Sequence, residues 1–518
     1  MAQRKLLIIF FVMWALTGSR FYAQKPQDNV VSGTITDRHS HRPIAGASVQ
    51  LTPETQGEPY ITQSKSDGRF EFHKIPNGEY LLSAVRSGYL LAEFEKKRSS
   101  DPAVALHISS SSTMPEIQLT MVSAGAIFGT AVDVKGEPVP AVTVRALRET
   151  YAEGERALRV VQTVITDDLG NYRLFSLPPG RYYVSVVLPS NALAPSYYPN
   201  ASDIRFARPV DLSAGSTAGG INITSNFVSG ITIQGNVSFT GNAADVIIVP
   251  RLPMTPSSVP ASVSVDRING TFVIPNVFPG DYFLIAQSDG QRVQLPLEVG
   301  SSAISPIQIT IPRAVEFRVH VSSDAASAES ANTLLRIRSD QTRIDEFLIG
   351  DFTGTDRSSR LSLIPGDYQI LNGGGKSNEY IQSVRLGISD VMRDGLHVDS
   401  SSGGIIEIVM GSHPGRLSGV VSDSTGKPVT NVMVVLSPNS ANRKRIDLFK
   451  SVRTDAHGRF EISNIPPGDY AVFSWEDVEP TAWLNSEFLS QYEKSGRPVH
   501  IDADAKLNIE IRVIPEQD

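Results

Sequence analysis

Residues 454–475 read TDAHGRFEISNIPPGDYAVFSW, and this stretch decides the fold. Phe460 and Ile462 alternate with polar residues, which places them on one face of a β-strand. The Asp-x-x-Gly at 455–458 supplies a side-chain acceptor and a residue that tolerates positive φ, as a hairpin turn requires. The Pro-Pro-Gly that follows ends strand pairing, and Tyr470 begins a second apolar strand. The stretch therefore predicts two strands joined by a sharp turn.

The end of this phrase recurs along the whole chain as Gly-x-Tyr, at intervals of 86 to 102 residues. We expect each tyrosine to be buried and to fix the turn before it by donating its hydroxyl to nearby backbone, as in sandwich tyrosine corners. The five corner tyrosines are Tyr80, Tyr182, Tyr282, Tyr368 and Tyr470. An internal period of this kind predicts tandem structural units.

About 100 residues with seven or so short alternating strands predict one β-sandwich, so the fold class is all-β, with about five immunoglobulin-like sandwiches in a row. We call the units repeats 1 to 5. Repeats 3 and 4 are divergent, and repeat 4 is assigned from its length, its strand character and its Gly-x-Tyr. The expected domains are a signal peptide at 1–23 and repeats at 24–122, 123–226, 227–313, 314–411 and 412–518.

The N-terminus has the pattern of a secretory signal peptide. A basic start is followed by eleven apolar residues at 6–16, whereas a membrane-spanning helix needs about 20. Cleavage after Ser19 and cleavage after Ala23 both remain open, and an uncleaved anchor is the alternative. No later segment is long and apolar enough to span a membrane. We expect a secreted, periplasmic or cell-surface protein.

The 518 residues include no cysteine, which excludes disulfides, thiolate metal sites and a lipoprotein anchor. A secreted chain without cysteine fits a bacterial envelope better than an animal secretory pathway. The net charge of −7, with no basic block, argues against nucleic-acid binding.

Repeats 1, 2 and 5 share longer phrases that resemble the carboxypeptidase regulatory-like domain, a small transthyretin-like β-sandwich. The resemblance covers 30–90, 125–190 and 415–475 and extends to repeats 3 and 4 by analogy. It implies a secreted or cell-surface setting and no catalysis, since in that family the enzymatic work belongs to a separate domain. The shared phrases open on Gly33, Gly129 and Gly419 and lead into Ile75-Pro76, Leu177-Pro178 and Ile465-Pro466.

The sequence contains no pattern that supports catalysis. None of the nine histidines is followed three positions later by glutamate, so the zinc pair of a metallocarboxypeptidase is missing. No Gly-x-Ser-x-Gly nucleophile elbow occurs either. We therefore expect a protein that is not an enzyme and that has no cofactor and no metal site.

An insertion at 476–497 in repeat 5 is the one segment that departs from the repeated phrase. Helical spacing of its aromatic residues predicts a short helix. Trp475, Trp483 and Tyr492 are candidates for a ligand-binding platform that stacks on sugar rings or on a partner's apolar residues. The alternative interpretation is that these aromatic residues only cover one end of the sandwich core.

Two functions remain open. The first is a non-catalytic secreted or surface protein that acts as an adhesion, scaffold or display module. The second is a carbohydrate-binding accessory protein that uses exposed aromatic residues of repeat 5. A sandwich fold alone does not separate them. The partner would be an unidentified protein or glycan at the cell surface.

Overall fold

The computed structural model describes residues 29–96, 103–109, 116–188, 194–252, 254–255, 263–323, 334–340, 346–349, 357–373 and 379–515. The signal peptide predicted at 1–23 lies outside them. Regular structure is almost entirely β, which confirms the all-β prediction. Two short α-helices occur in the described residues, α1 (Val391–Asp394) and α2 (Ser486–Ser490). No helix in that part of the chain is long and apolar enough to cross a membrane.

The strands follow the predicted repeats. Repeat 1 contains β1 (Asn29–Asp37), β2 (Ser48–Pro53), β3 (Tyr60–Gln63), β4 (Arg69–Ile75), β5 (Gly78–Val85), β6 (Ala92–Glu93), β7 (Leu106–Ile108) and β8 (Ile117–Met121). Repeat 2 contains β9 (Gly125–Val132), β10 (Thr143–Ala152), β11 (Glu155–Ile165), β12 (Asn171–Leu177), β13 (Gly180–Val187), β14 (Ser196–Tyr197), β15 (Val210–Leu212), β16 (Thr217–Ala218) and β17 (Ile223–Thr224). Repeat 3 contains β18 (Ile231–Ser238), β19 (Ala244–Pro250), β20 (Met254–Thr255), β21 (Ser264–Val265), β22 (Thr271–Val277), β23 (Gly280–Ser288), β24 (Gln291–Val299) and β25 (Ile307–Thr310).

The last two repeats continue the same order. Repeat 4 contains β26 (Val315–Ser323), β27 (Leu335–Ser339), β28 (Glu346–Ile349), β29 (Ser358–Leu363), β30 (Gly366–Asn372), β31 (Tyr380–Leu386), β32 (Ser389–Asp390), β33 (Leu396–Val398) and β34 (Gly404–Gly411). Repeat 5 contains β35 (Gly415–Ser422), β36 (Met433–Pro438), β37 (Lys450–Arg453), β38 (Arg459–Ile465), β39 (Gly468–Trp475), β40 (Arg497–Ile501) and β41 (Lys506–Arg512).

Each repeat forms two sheets with a common pairing plan, and β20 of repeat 3 joins the edge of a repeat 2 sheet by pairing in parallel with β11. In repeat 5 the opening strand β35 lies between β38 and the closing strand β41, and the second sheet has the order β37-β36-β39-β40. The closing strand runs parallel to the opening strand, which the repeated phrase did not predict. Repeat 4 has the same plan, with β29-β26-β34 and β28-β27-β30-β33, and adds β31 beyond β34. The divergent repeat therefore pairs its strands as the matching repeats do.

The apolar core of each repeat lies between its two sheets. In repeat 5 it includes Leu417 and Phe460 from one sheet and Val434 and Tyr470 from the other. Strand β38 has a strictly alternating burial pattern over Arg459–Ile462, with Phe460 and Ile462 inside and their neighbours exposed. This is the alternation on which the strand prediction rests.

A glycine opens the repeated phrase because two strands meet there too closely for a side chain. At Gly419 a Cβ atom would overlap the carbonyl oxygen of Ile509 on the closing strand and the ring of Phe460. The same kind of collision with closing-strand backbone occurs at Gly33 and Gly235, and at Gly129 the collision is with the backbone of Ile221, between β16 and β17. The glycine thus allows the parallel strand to lie against the opening strand.

All five corner tyrosines donate their hydroxyl to a backbone carbonyl four residues earlier. The oxygen-to-oxygen distance is 3.0 Å for Tyr80, 2.5 Å for Tyr182, 3.0 Å for Tyr282, 2.9 Å for Tyr368 and 2.9 Å for Tyr470. Burial raises the pKa of Tyr282 to about 12 and also raises that of Tyr182. The hydroxyl therefore stays protonated and keeps donating to the carbonyl.

The chain forms two compact units, of which the first comprises Met1–Arg86, Ala92–Phe94 and Ala103–Thr120 and the second comprises Ser87–Leu91, Glu95–Pro102 and Met121–Asp518. Repeats 2 to 5 belong to the second unit, within which contacts between repeats are described below. The separation of the chain into five domains that fold independently stays a prediction.

Replacing Tyr182 by Phe removes the corner bond and leaves the carbonyl of Pro178 without this donor. We expect a loss of about 0.5–1.5 kcal/mol in unfolding free energy, the usual net contribution of such a bond. Tyr183→Phe is the matched control on the same strand, because the Tyr183 hydroxyl only reaches Glu149 at 3.4 Å in an exposed position. The unfolding free energy of both variants is measured by urea denaturation, with the hydrogen exchange of the backbone amides at 178–187 as the readout. Equal effects of the two substitutions would contradict the corner interpretation.

Candidate functional site

The insertion of repeat 5 begins after β39 and folds into a chain of short helical turns. A 3-10 helix (Ala482–Leu484) leads into α2, and another 3-10 helix (Glu493–Ser495) follows. The Asn485 side chain caps α2 by accepting from the backbone N–H of Phe488 at 3.0 Å. Leu489, on the predicted helix, is fully buried.

The insertion exists because the sheet below it is apolar on both faces. Val434 and Val472 point into the sandwich core, whereas Val435, Phe473 and Trp475 point to the opposite face. An uncovered outer face would expose a large apolar patch to water. Trp483 and Leu489 of the insertion cover that face and complete a second, smaller core.

The aromatic rings of this second core are in direct contact. Phe473 and Trp475 stack with ring centroids 5.4 Å apart, and Tyr492 meets Trp475 edge-on at 5.6 Å. Phe488 lies 5.1 Å from Tyr492 and 6.1 Å from Trp475. Such arrangements are the favoured geometries of aromatic pairs.

The structure corrects the expectation of an exposed platform. Trp475 is 2% exposed and Trp483 is 8% exposed, so neither indole offers a face for stacking on a sugar. Tyr492 is half-buried at the edge of the cluster. The physical reason is the two-sided burial of β39, which requires these side chains as core.

The remaining aromatic edge of the insertion docks on a long hairpin of repeat 2. Strands β10 and β11 are joined by a two-residue turn in which Glu153 and Gly154 have φ of 50° and 83°. Positive φ at both positions is the pattern of a type I′ turn, which matches the twist of a hairpin. Tyr151, just before the turn, meets the Phe488 ring edge-on at 5.8 Å.

Polar contacts surround this ring pair. Asn485 donates through its side-chain amide to the carbonyl of Gly154 at 2.9 Å. Thr150 donates to Glu479 at 3.2 Å, and Arg156 pairs with Glu487 at 3.0 Å. We call the contact between residues 148–156 and 479–488 the tie.

Gly154 is required for the tie as well as for the turn. A Cβ atom there would lie 2.7 Å from the Leu484 Cβ and 3.0 Å from its carbonyl carbon, closer than real side chains approach. The backbone of the hairpin tip and the backbone of the insertion are therefore in contact.

A second recurring feature is a cross-strand pair at the middle residue of Gly-x-Tyr. In each repeat that residue lies opposite a charged or titratable residue on the neighbouring strand. The pairs are Glu79–His107, Arg181–Asp211, Asp281–Glu298, Asp367–His397 and Asp469–His500. Hydrogen bonds to Asp367 and Asp469 raise the pKa of His397 and of His500, respectively.

Repeat 3 has two acidic residues at this position, and repeat 2 supplies the cation. Arg205 donates to Asp281 at 2.9 Å and to Glu298 at 3.2 Å, while Asp203 holds its guanidinium through two further bonds at 2.9 and 2.7 Å. Its hydrogen bonds to Asp203 raise the pKa of Arg205, which stays charged. Opposed carboxylates would repel each other without this side chain.

None of these arrangements has the geometry of a catalytic centre. Across the described ranges, no group of three His, Asp or Glu side chains could hold a metal ion. What the arrangement does is hold repeats against one another through aromatic packing and charge-assisted bonds.

The family comparison agrees with these repeats. The carboxypeptidase regulatory-like domain family matches residues 30–120, 126–224 and 416–476, which lie in repeats 1, 2 and 5. Three regions of the chain thus match the carboxypeptidase regulatory-like domain, which is consistent with a repeat of such domains. In repeat 5 the family match stops at residue 476, where the insertion begins.

Similar solved structures include bacterial pilins, with low scores. GBS52, a minor pilin of Streptococcus agalactiae, is 16% identical over 38% of this chain and 94% of its own, with a TM-score of 0.20. BcpA, the major pilin subunit of Bacillus cereus, is 10% identical over 93% of this chain and 99% of its own, with a TM-score of 0.15. A putative carbohydrate-binding protein of Pseudomonas aeruginosa is 16% identical over 19% of this chain and 88% of its own, with a TM-score of 0.14. Scores this low support no argument about function, and a comparison with curated proteins gave no match.

The raised histidine pKa values predict a pH dependence of repeats 4 and 5. The stabilisation is fully present below the unfolded pKa of 6.5 and is lost as the pH rises through the higher folded value. We expect thermal unfolding of repeat 5 to occur at lower temperature at pH 8 than at pH 6. Asp469→Asn should remove most of the contribution from His500. An unchanged pH dependence in that variant would contradict the assignment.

Arg205→Ala should destabilise repeat 3 even though the residue belongs to repeat 2. We expect a loss of about 1–3 kcal/mol at neutral pH, because the variant lets Asp281 and Glu298 of repeat 3 repel and removes the guanidinium from Asp203, a buried carboxylate of repeat 2. Lowering the pH until the carboxylates are protonated should reduce the difference in stability between the variant and the unsubstituted chain. Hydrogen exchange of residues 280–299 measures this difference in repeat 3. Arg181→Ala is the control, since its exposed pair with Asp211 should contribute only about 0–1 kcal/mol.

Proposed function

We propose that this chain is a non-catalytic scaffold of the bacterial envelope, secreted, periplasmic or surface-exposed, in which β-sandwich repeats hold one another at fixed positions. The observation that carries the proposal is the tie, because the aromatic insertion of repeat 5 docks on another repeat of the same chain. A protein built to bind a glycan through that surface would leave it open to solvent.

Further junctions between consecutive repeats support the scaffold role. Ile364 of repeat 4 is 7% exposed and packs into the core cluster of repeat 3. In repeat 5, Arg445 and Asp447 form a bidentate pair with side chains only 8% and 6% exposed. At the junction with repeat 4, Asp447 also accepts from the backbone N–H of Asn372 at 3.1 Å. Buried contacts of this kind limit free rotation between neighbours, unlike flexible linkers.

A carbohydrate-binding role has less support. It was based on exposed aromatic residues, and both tryptophans of repeat 5 are core. The acidic residue beside them, Glu479, accepts from Thr150 of repeat 2. No other observation favours glycan binding over the scaffold role.

The location and the lack of catalysis can be tested together in a Gram-negative host. We expect the full-length chain to be processed at its N-terminus and to be absent from the cytoplasm. Proteinase added to intact cells, and then to cells with a permeabilised outer membrane, separates surface exposure from the periplasm. The purified protein should hydrolyse no peptide. Cytoplasmic retention, or a stoichiometric zinc whose removal abolishes peptide hydrolysis, would refute the proposal.

A further inference from the structure

The tie joins two points of the chain that are about 330 residues apart, and other contacts already join the repeats between them. Repeat 2 reaches repeat 3 through Arg205, repeat 3 reaches repeat 4 through Ile364, and repeat 4 reaches repeat 5 through Asp447. We propose that the tie is a releasable mechanical joint, which bears tension between repeats 2 and 5 and opens before any repeat unfolds. The proposal concerns mechanics and does not depend on the location or partner of the scaffold.

The tie runs in parallel with the chain path through repeats 3 and 4. A force that pulls repeat 5 away from repeat 2 is therefore shared between the direct contact and the longer path. While the tie is closed, repeats 3 and 4 are protected from the full load. When it opens, the distance between repeats 2 and 5 can increase by the reach of that path.

The tie is partly exposed to solvent, whereas the cores of the two repeats that it joins are buried, so it should open before either repeat unfolds. Its ion pair has side chains 53% and 76% exposed at Arg156 and Glu487, where water and salt screen the charges. By contrast, unfolding repeat 2 or repeat 5 would expose a core of buried apolar side chains, such as Val144 and Tyr182 in repeat 2. Exposing such a core to water is costly, whereas solvent-exposed polar contacts exchange readily with water.

Opening the tie does not require either partner to unfold. The hairpin keeps its own ladder, which pairs Thr143 with Ile165 at one end and Ala152 with Glu155 at the turn. The insertion keeps its Asn485 cap and its packing of Leu489 and Trp483 on repeat 5. The two surfaces can therefore separate and join again as preformed elements.

Gly154 offers a substitution that targets the joint, and Gly136 offers its control. Both are turn glycines of repeat 2 with nearly equal positive φ, 83° and 86°. A Cβ atom at residue 154 would collide with Leu484, whereas a Cβ atom at residue 136 would meet nothing within 4 Å. Gly154→Ala and Gly136→Ala therefore share the backbone strain of a left-handed alanine, and only the first disturbs the tie.

The absence of cysteine allows handles to be placed at two chosen sites of the full chain. We would introduce Lys135→Cys in repeat 2 and Lys506→Cys in repeat 5, both exposed, and stretch the molecule between them with optical tweezers. Unfolding one repeat releases on the order of 30 nm, from about 90 residues at 3.3–3.6 Å each. We expect the first event to be a reversible extension well below that length.

In Gly154→Ala this first step should disappear or occur at a several-fold lower force, and in Gly136→Ala it should persist. Unchanged tryptophan fluorescence would show that the insertion is still folded on repeat 5. A first step as long as a whole repeat in the unsubstituted chain, or an equal loss in both glycine variants, would overturn the proposal.

A charge exchange provides the second test if Gly154→Ala fails to fold. Arg156→Glu should lower the opening force, because it places two acidic residues opposite each other at the tie. Combining it with Glu487→Arg should restore the opening force toward the original value. Failure of the double variant to recover more than either single variant would overturn the role of this contact in the joint.

Discussion

A sheet that is apolar on both faces must be covered on both sides, and in repeat 5 much of the remaining structure follows from this constraint. Strands β36 and β39 present Val434 and Val472 to the sandwich core and Val435 and Phe473 to the other side. The hydrophobic effect makes a bare outer face unfavourable in proportion to its area. The insertion supplies the cover, and the surface it presents outward is the one that meets repeat 2.

Charge governs one of the other contacts between repeats in the second compact unit, the one between repeats 2 and 3 at Arg205. Four repeats complete the pair at Gly-x-Tyr with a neighbouring strand of their own, and repeat 3 depends on Arg205 of repeat 2. The position is the same, but the partner has moved to another repeat. The cross-strand pair thus connects two repeats in this case. Repeat 3 without repeat 2 would be less stable, because its two opposed carboxylates would have no cation between them.

The sequence predicts what is local and repeated, and it fails where contacts join distant residues. Alternation around Phe460 and the recurring tyrosines give the strands and the corners, because both depend on neighbours within a few positions. The sequence does contain evidence against the exposed aromatic platform that we expected at Trp475. Residues 470–473 are apolar at successive positions and are followed by one serine and Trp475, which is typical of a strand buried on both faces and argues for Trp475 as core. No spacing rule relates Gly154 to Leu484 or Arg205 to Asp281, because only the tertiary fold brings them together.

The parallel pairing of opening and closing strands also has a consequence for how such a chain can change its length over evolution. Two neighbouring strands that run in the same direction start at one end of a sandwich and finish at the other, as β35 and β41 do. The polypeptide thus enters a repeat at one end and leaves at the opposite end. A duplicated gene segment can be inserted in frame between two such units without either having to reverse its path. Loss of a copy is equally simple for the pairing within each unit, whereas the tie and Arg205 restrict which copies can be lost.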